Sequence, residues 1–123
     1  MHYEPSALSS PQHQACAAKL AVGERVVPHA FVRAADGRPY DIQDLLPSDT
    51  RFKILLFAGN TADAAQSARV AALAERMAAP EGFLARFGRG APAGVFDIIS
   101  ISSAKKDAVN FTGAYACCEG VQA

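Results

Sequence analysis

The sequence predicts an α/β fold in which a βαβ core follows a β-hairpin. Three observations predict it. Two short apolar runs, Lys53-Ile54-Leu55-Leu56-Phe57-Ala58 and Val95-Phe96-Asp97-Ile98-Ile99-Ser100-Ile101, have the length and composition of strands. An alanine-rich stretch with helical spacing lies between them. Ahead of both sits Asp36-Gly37, a favoured turn dipeptide because glycine accepts positive φ without steric cost. The chain of 123 residues suits one domain with one modest core.

Residues 1–22 are mixed and carry turn formers (Pro5, Ser9, Ser10, Pro11), and read as an extended arm with a helical turn around Gln14 to Leu20. The domain proper is expected over residues 23–103. Ala30-Phe31-Val32-Arg33 and Arg38-Pro39-Tyr40-Asp41-Ile42 flank the Asp36-Gly37 turn. Pro39 has no N–H to donate, which puts the second strand at a sheet edge. Asp44-Leu45-Leu46 predicts one helical turn, ended by Pro47. The run Lys53–Ala58 is unbroken after its lysine, the pattern of a strand covered on both faces, and Gly59 closes it.

Asn60 or Thr61 is placed to cap the helix that follows. That helix is expected over Ala62 to Ala79, with Val70, Leu73 and Met77 as its apolar stripe and Pro80 as its stop. Glu81 to Phe87 adds a short helix bearing Phe83, Leu84 and Phe87, and Gly88 to Gly94 reads as a loop. The second strand, Val95 to Ile101, completes a parallel βαβ unit. Phe31, Ile54, Leu56, Phe57, Leu73, Phe96 and Ile98 are expected in the core. Residues 104–123 show no clear period and read as a weakly structured tail.

Charge is balanced, with 12 Lys and Arg against 12 Asp and Glu. No global field draws the chain to nucleic acid or to an anionic membrane. Arg86, Arg89, Lys105 and Lys106 are the nearest approach to a basic cluster, and no aromatic platform is interleaved with them. No apolar run reaches membrane-spanning length. The first residues lack the pattern of a secretory leader, and three cysteines do not make a disulfide framework. The expected compartment is therefore a reducing cytoplasm.

Candidate chemistry is sparse. In a thioredoxin-like domain a redox Cys-x-x-Cys lies at the end of the first βαβ strand, where the helix start lowers the attacking thiol's pKa. Here that stretch is Ala58-Gly59-Asn60-Thr61-Ala62-Asp63 and holds no sulfur. Cys117-Cys118 are adjacent rather than spaced, and Cys16 reads as a small buried or half-buried residue. His13 and Cys16 have the spacing of half a zinc site, but no second spaced pair follows. Gly88-Arg89-Gly90-Ala91-Pro92-Ala93-Gly94 lacks the dinucleotide spacing and precedes a strand, not a helix. Asp63, Glu75 and Glu81 read as carboxylates on helix surfaces. No catalytic, cofactor-binding or metal-binding residue is expected.

The order of several segments is distinctive: Gly23-Glu24-Arg25-Val26-Val27-Pro28, Phe31-Val32-Arg33-Ala34-Ala35-Asp36-Gly37-Arg38-Pro39, Asp44-Leu45-Leu46-Pro47 and Arg51-Phe52-Lys53-Ile54-Leu55-Leu56-Phe57-Ala58-Gly59. His2-Tyr3-Glu4-Pro5-Ser6-Ala7-Leu8 before them and Val95-Phe96-Asp97-Ile98-Ile99 after them fit the same scheme. Over about residues 2–107 the chain resembles the C-terminal domain of flavin-dependent phenol 2-monooxygenases and 3-hydroxybenzoate hydroxylases. The resemblance implies a thioredoxin-like fold without redox cysteines, used in subunit contacts of an enzyme that employs FAD and NADPH. The cofactors belong to the full-length family, and no flavin or phenol residue carries over. The family's domain continues past the second central strand with further strands and a closing helix, which the residues after Ile101 do not match. A C-terminally truncated sheet with an open edge is therefore expected.

Three functional readings follow. The favoured one is a non-catalytic association module, forming a homodimer or binding a partner. The second is a subunit or fragment of a working aromatic monooxygenase whose catalytic part is on another chain. The third is a divergent thiol oxidoreductase using Cys117 or Cys118.

Overall fold

The computed structural model describes residues 2–88, 94–105 and 108. Its elements in chain order are a 3-10 helix at Gln14–Ala17, strands β1 (Ala30–Val32), β2 (Pro39–Asp41) and β3 (Phe52–Gly59), helices α1 (Ala64–Ala78) and α2 (Phe83–Gly88), and strand β4 (Phe96–Ser102). The expected hairpin and βαβ unit are both present. β1 pairs antiparallel with β2, and β3 pairs parallel with β4 across the α1–α2 connection.

The first 22 residues are less extended than the sequence suggests. Gln14 ties them together. Its side-chain amide donates to the carbonyls of Ala17 (3.0 Å) and Leu20 (2.9 Å), and its Oε1 accepts from Val22 N–H (2.6 Å). His2 forms an isolated antiparallel bridge with Glu24, and Tyr3 N–H donates to Gly23 O at 2.8 Å. Gly23 is required there: its φ is +84°, and a Cβ would lie 2.4 Å from Tyr3 O.

The hairpin turn spans Arg33 to Arg38, longer than the two-residue connection its Asp36-Gly37 favours, with Gly37 at φ +67°. A side-chain lock accounts for the extra length. The Arg33 guanidinium stacks over the Tyr40 ring at 4.3 Å, pairs with Asp36 and donates to Tyr40 Oη at 2.6 Å. The hydrogen bond from Arg33 holds the Asp36 carboxyl well below the usual carboxylate range. The expected helical turn at Asp44–Leu46 begins earlier, as successive turns closed from Asp44 N–H to Asp41 O through Leu46 N–H to Gln43 O. This places Ile42 as the most enclosed apolar residue, at 2% exposure.

Helix α1 starts two residues later than expected. Its cap is Asp63, not Asn60 or Thr61, and the Asp63 carboxylate accepts Gln66 N–H at 3.0 Å. It ends as predicted: Ala79, before Pro80, leaves helical geometry with ψ 148°. The half-buried face of α1 is Gln66, Ser67, Val70, Ala74 and Met77. Leu73 lies off that stripe and is exposed, because Ala74 takes the position one turn beyond Val70.

The core differs from expectation in which strand is enclosed. β3 is not covered on both faces: Phe52 and Phe57 are exposed and Ala58 alone is buried in it. β4 is the covered strand. Asp97, Ile98 and Ile99 are buried in succession, which alternation of side chains permits only if both faces are shielded. The buried apolar residues are Ile42, Ala58, Ile98 and Ile99. Of the expected core residues Ile98 is buried, Phe31, Ile54, Leu56 and Phe96 are half-buried, and Phe57 and Leu73 are surface residues.

Candidate association surface

The two ends of the β3–β4 pair carry different chemistry. At the end where the strands start, Phe52 stands opposite Phe96 with ring centroids 5.9 Å apart, and Phe83 of α2 meets Phe96 edge-on at 5.2 Å and 86°. Both geometries suit the aromatic quadrupole. Phe87 lies one turn along α2 from Phe83, with the Arg86 guanidinium 5.4 Å from its ring. Phe52 is 63% exposed and Phe87 58% exposed, which is unusual for side chains of this size.

The next cross-strand pair is ionic. Lys53 stands opposite Asp97, and its Nζ donates to Asp97 Oδ2 at 2.7 Å and to Asp49 Oδ1 at 2.8 Å. Arg51 completes the cluster, reaching Asp49 through Nε at 2.8 Å and Nη2 at 2.5 Å, and Asp97 Oδ2 at 3.4 Å. Two cations face two carboxylates, so the cluster has no net charge. Hydrogen bonds from Lys53 and Arg51 hold Asp49 well below the usual carboxylate range. Desolvation lowers the Lys53 pKa, and its two carboxylate partners more than offset this, leaving it raised. Consecutive strand residues point to opposite faces. The ionic pair therefore lies on the reverse of the aromatic pair, and a one-residue slip would separate both pairs at once.

The other end is the helix start where a thiol enzyme of this architecture would hold its sulfur. Its backbone is occupied by its own side chains. Asn60 N–H donates to Gln66 Oε1 (2.8 Å), Ala62 N–H to Asn60 Oδ1 (3.2 Å), Asp63 N–H to Asn60 O (3.0 Å) and Thr61 N–H to Ser102 Oγ (3.4 Å). Ser102 in turn donates to Gly59 O at 3.0 Å and lies 2.8 Å from Thr61 Oγ1. Gly59, at φ +69°, makes the turn possible, since a Cβ there would lie 2.2 Å from Gln66 Oε1.

The remaining motifs are dispersed. Cys16 is exposed, not buried, because the 3-10 helix that carries it buries none of its residues. His13 and Cys16 gather no further ligand; among the described residues no group of three His, Cys, Asp or Glu side chains could hold a metal ion. Cys117, Cys118, Arg89, Lys106 and most of the Gly88–Gly94 loop lie outside the described residues. Among the described residues no helix is long and apolar enough to cross a membrane. The ionic cluster escaped the sequence reading. Its one visible signal was a lone charge of opposite sign at the start of each apolar run, Lys53 and Asp97.

No curated protein matches the chain significantly. The family model of the phenol hydroxylase C-terminal dimerisation domain matches residues 1–121, nearly the whole sequence. The match runs past the expected limit near residue 107 to residue 121, so the departure from the family expected after Ile101 is overturned. The family resemblance itself, the mixed α/β architecture and the partner expectation of a second copy or a hydroxylase subunit agree with the match, and the chain belongs to the phenol hydroxylase C-terminal dimerisation domain family.

Proposed function

We propose that this chain is a non-catalytic, thioredoxin-like association domain that forms a homodimer and acts in the cytoplasm, with residues 23–103 as its associating unit. The observation that carries the reading is the occupied helix start. The N–H groups that would stabilise a thiolate or another anion are engaged by Gln66, Asn60 and Ser102. No sulfur stands between Ala58 and Asp63. The scaffold is present and its reagent position is closed. Association has independent support in the family's dimerisation role and in the small core, since no large side chain among the described residues is fully buried. FAD and NADPH belong to the family's larger enzymes in this reading, and this chain binds neither.

Light scattering across a concentration series tests the proposal, with a dimer expected. A strict monomer at high concentration refutes the association role. A yellow cofactor that survives gel filtration, or a thiol far more reactive than a free cysteine peptide, refutes the non-catalytic role.

The family's place at the C-terminus of phenol hydroxylase supports a second reading, in which the chain serves as a subunit of a hydroxylase whose flavin domain is separate. Hydroxylation of a phenol that appears only on mixing the two chains would establish it.

A further inference from the structure

We propose that the Arg33–Asp36–Tyr40 lock protects the hairpin from a spontaneous modification, the isomerisation of Asp36 to a β-linked isoaspartate. The proposal does not depend on the association reading. Asp36 is the chain's single aspartate or asparagine followed by glycine. That pairing is reactive because glycine carries no Cβ to hinder attack by its own amide nitrogen. The Gly37 nitrogen bonds to Asp36 Cγ, a carboxyl C–O bond breaks, and water leaves, taking the amide proton. A succinimide ring results. Water then adds to the α-carbonyl of the ring and breaks the bond from that carbon to nitrogen. The chain now continues through Cβ and Cγ, and the α-carboxyl is set free. Water is the only co-reactant, and it reaches the turn, where Ala34, Ala35 and Asp36 are exposed.

Contacts within the turn oppose each requirement of that reaction. The nucleophile is engaged: Gly37 N–H donates to Arg33 O at 2.8 Å. The electrophile is held: Asp36 Oδ1 accepts Arg38 N–H at 3.1 Å, and Oδ2 accepts Tyr40 Oη–H at 3.2 Å and pairs with the Arg33 guanidinium. Three donors thus pin the carboxyl group that must reach the Gly37 nitrogen. The leaving group is withheld as well. A neutral carboxyl can lose its hydroxyl as water, whereas a carboxylate would have to expel oxide. The hydrogen bond from Arg33 favours the carboxylate. Lowering a pKa by about one leaves a tenth as much neutral acid at pH 7. Arg33 is itself fixed from two sides, by stacking on the Tyr40 ring and by its bond to Tyr40 Oη. Gly37 sits at φ +67°, where a side chain would be strained, so the reactive pair is not readily exchanged for a safer one. Protection has to come from its neighbours.

The test incubates the full chain at neutral pH and measures isoaspartate at Asp36 by peptide mapping and mass spectrometry, both folded and in denaturant. The folded wild type should isomerise at least about tenfold more slowly than the denatured chain, since it reacts only when the turn opens. Arg33→Ala, its fold checked by circular dichroism, should recover most of the denatured rate. Tyr40→Phe keeps the ring and removes the Oη contacts, and its rate should be intermediate. Arg69→Ala, which removes an exposed arginine from α1, should age as the wild type does. A folded wild type that isomerises as fast as the denatured chain overturns the proposal. So does a folded Arg33→Ala as slow as the wild type, which would assign the protection to the backbone turn alone. Should Arg33→Ala fail to fold, a folded Tyr40→Phe that matches the wild type has the same force.

Discussion

The two ends of the parallel strand pair solve the same problem in opposite ways. Each must finish a sheet of only two strands among the described residues. At the helix-start end, Gln66, Asn60, Asp63 and Ser102 satisfy the local backbone, and the chain seals itself. At the strand-start end, polar needs are met on one face by Asp49, Arg51, Lys53 and Asp97, while the aromatic face is left to solvent. A self-satisfied end has little to offer a partner. An end that is rigid, apolar and uncovered has much to gain from one.

Substitutions can break or sharpen this contrast. The largest effect is expected for Asp97→Ala. It removes the buried carboxylate of the cluster and leaves Lys53 and Arg51 with Asp49 as their remaining partner. Urea unfolding should show the resulting loss of stability. A double replacement of Lys53 and Asp97 by apolar residues should recover most of it, and failure to recover would mean that Asp97 acts other than by pairing. At the sealed end, Gly59→Ala should cost about 2 kcal/mol, from an unfavourable φ and a clash with Gln66. Adding Gln66→Ala should relieve the clash but not the strain, so partial rescue is the expected result. Asp63→Ala, which removes the α1 cap, should cost about 1 kcal/mol and leave self-association unchanged.

The smallest expected effect is on acid stability. Asp36 and Asp49 are held below the usual carboxylate range in the folded chain, so between the unfolded and folded values the unfolded chain binds more protons. Their contribution is therefore complete above the unfolded value of about 4 and is lost as pH falls below it. Stability from these groups should be level from about pH 5 to 8 and then decline with acid. Asp49→Asn should make that decline shallower, and an unchanged acid limb would exclude the cluster as its source.

Much of this contrast was legible from residue order. The apolar runs, the Asp36-Gly37 turn, the stop at Pro80 and the missing sulfur gave the βαβ unit and its closed helix start. What could not be read was which strand lies inside. β3 and β4 are similarly apolar, and only the fold shows that Ile98 and Ile99 are enclosed while Phe52 and Phe57 face solvent. The helix cap was misplaced because Asn60, Thr61 and Asp63 are all competent caps, and cross-strand packing gave Thr61 to Ser102. The ionic cluster joins positions 44 residues apart, Lys53 and Asp97, and local pattern does not report such a separation.

The Gln66 side chain fills the space above Gly59 and takes the Asn60 N–H for itself. Anyone wishing to introduce electron exchange at this helix start would therefore find that grafting a pair of cysteines is not enough. The glutamine would have to be shortened first, to free both the room for a sulfur atom and the backbone dipole that would make it acidic.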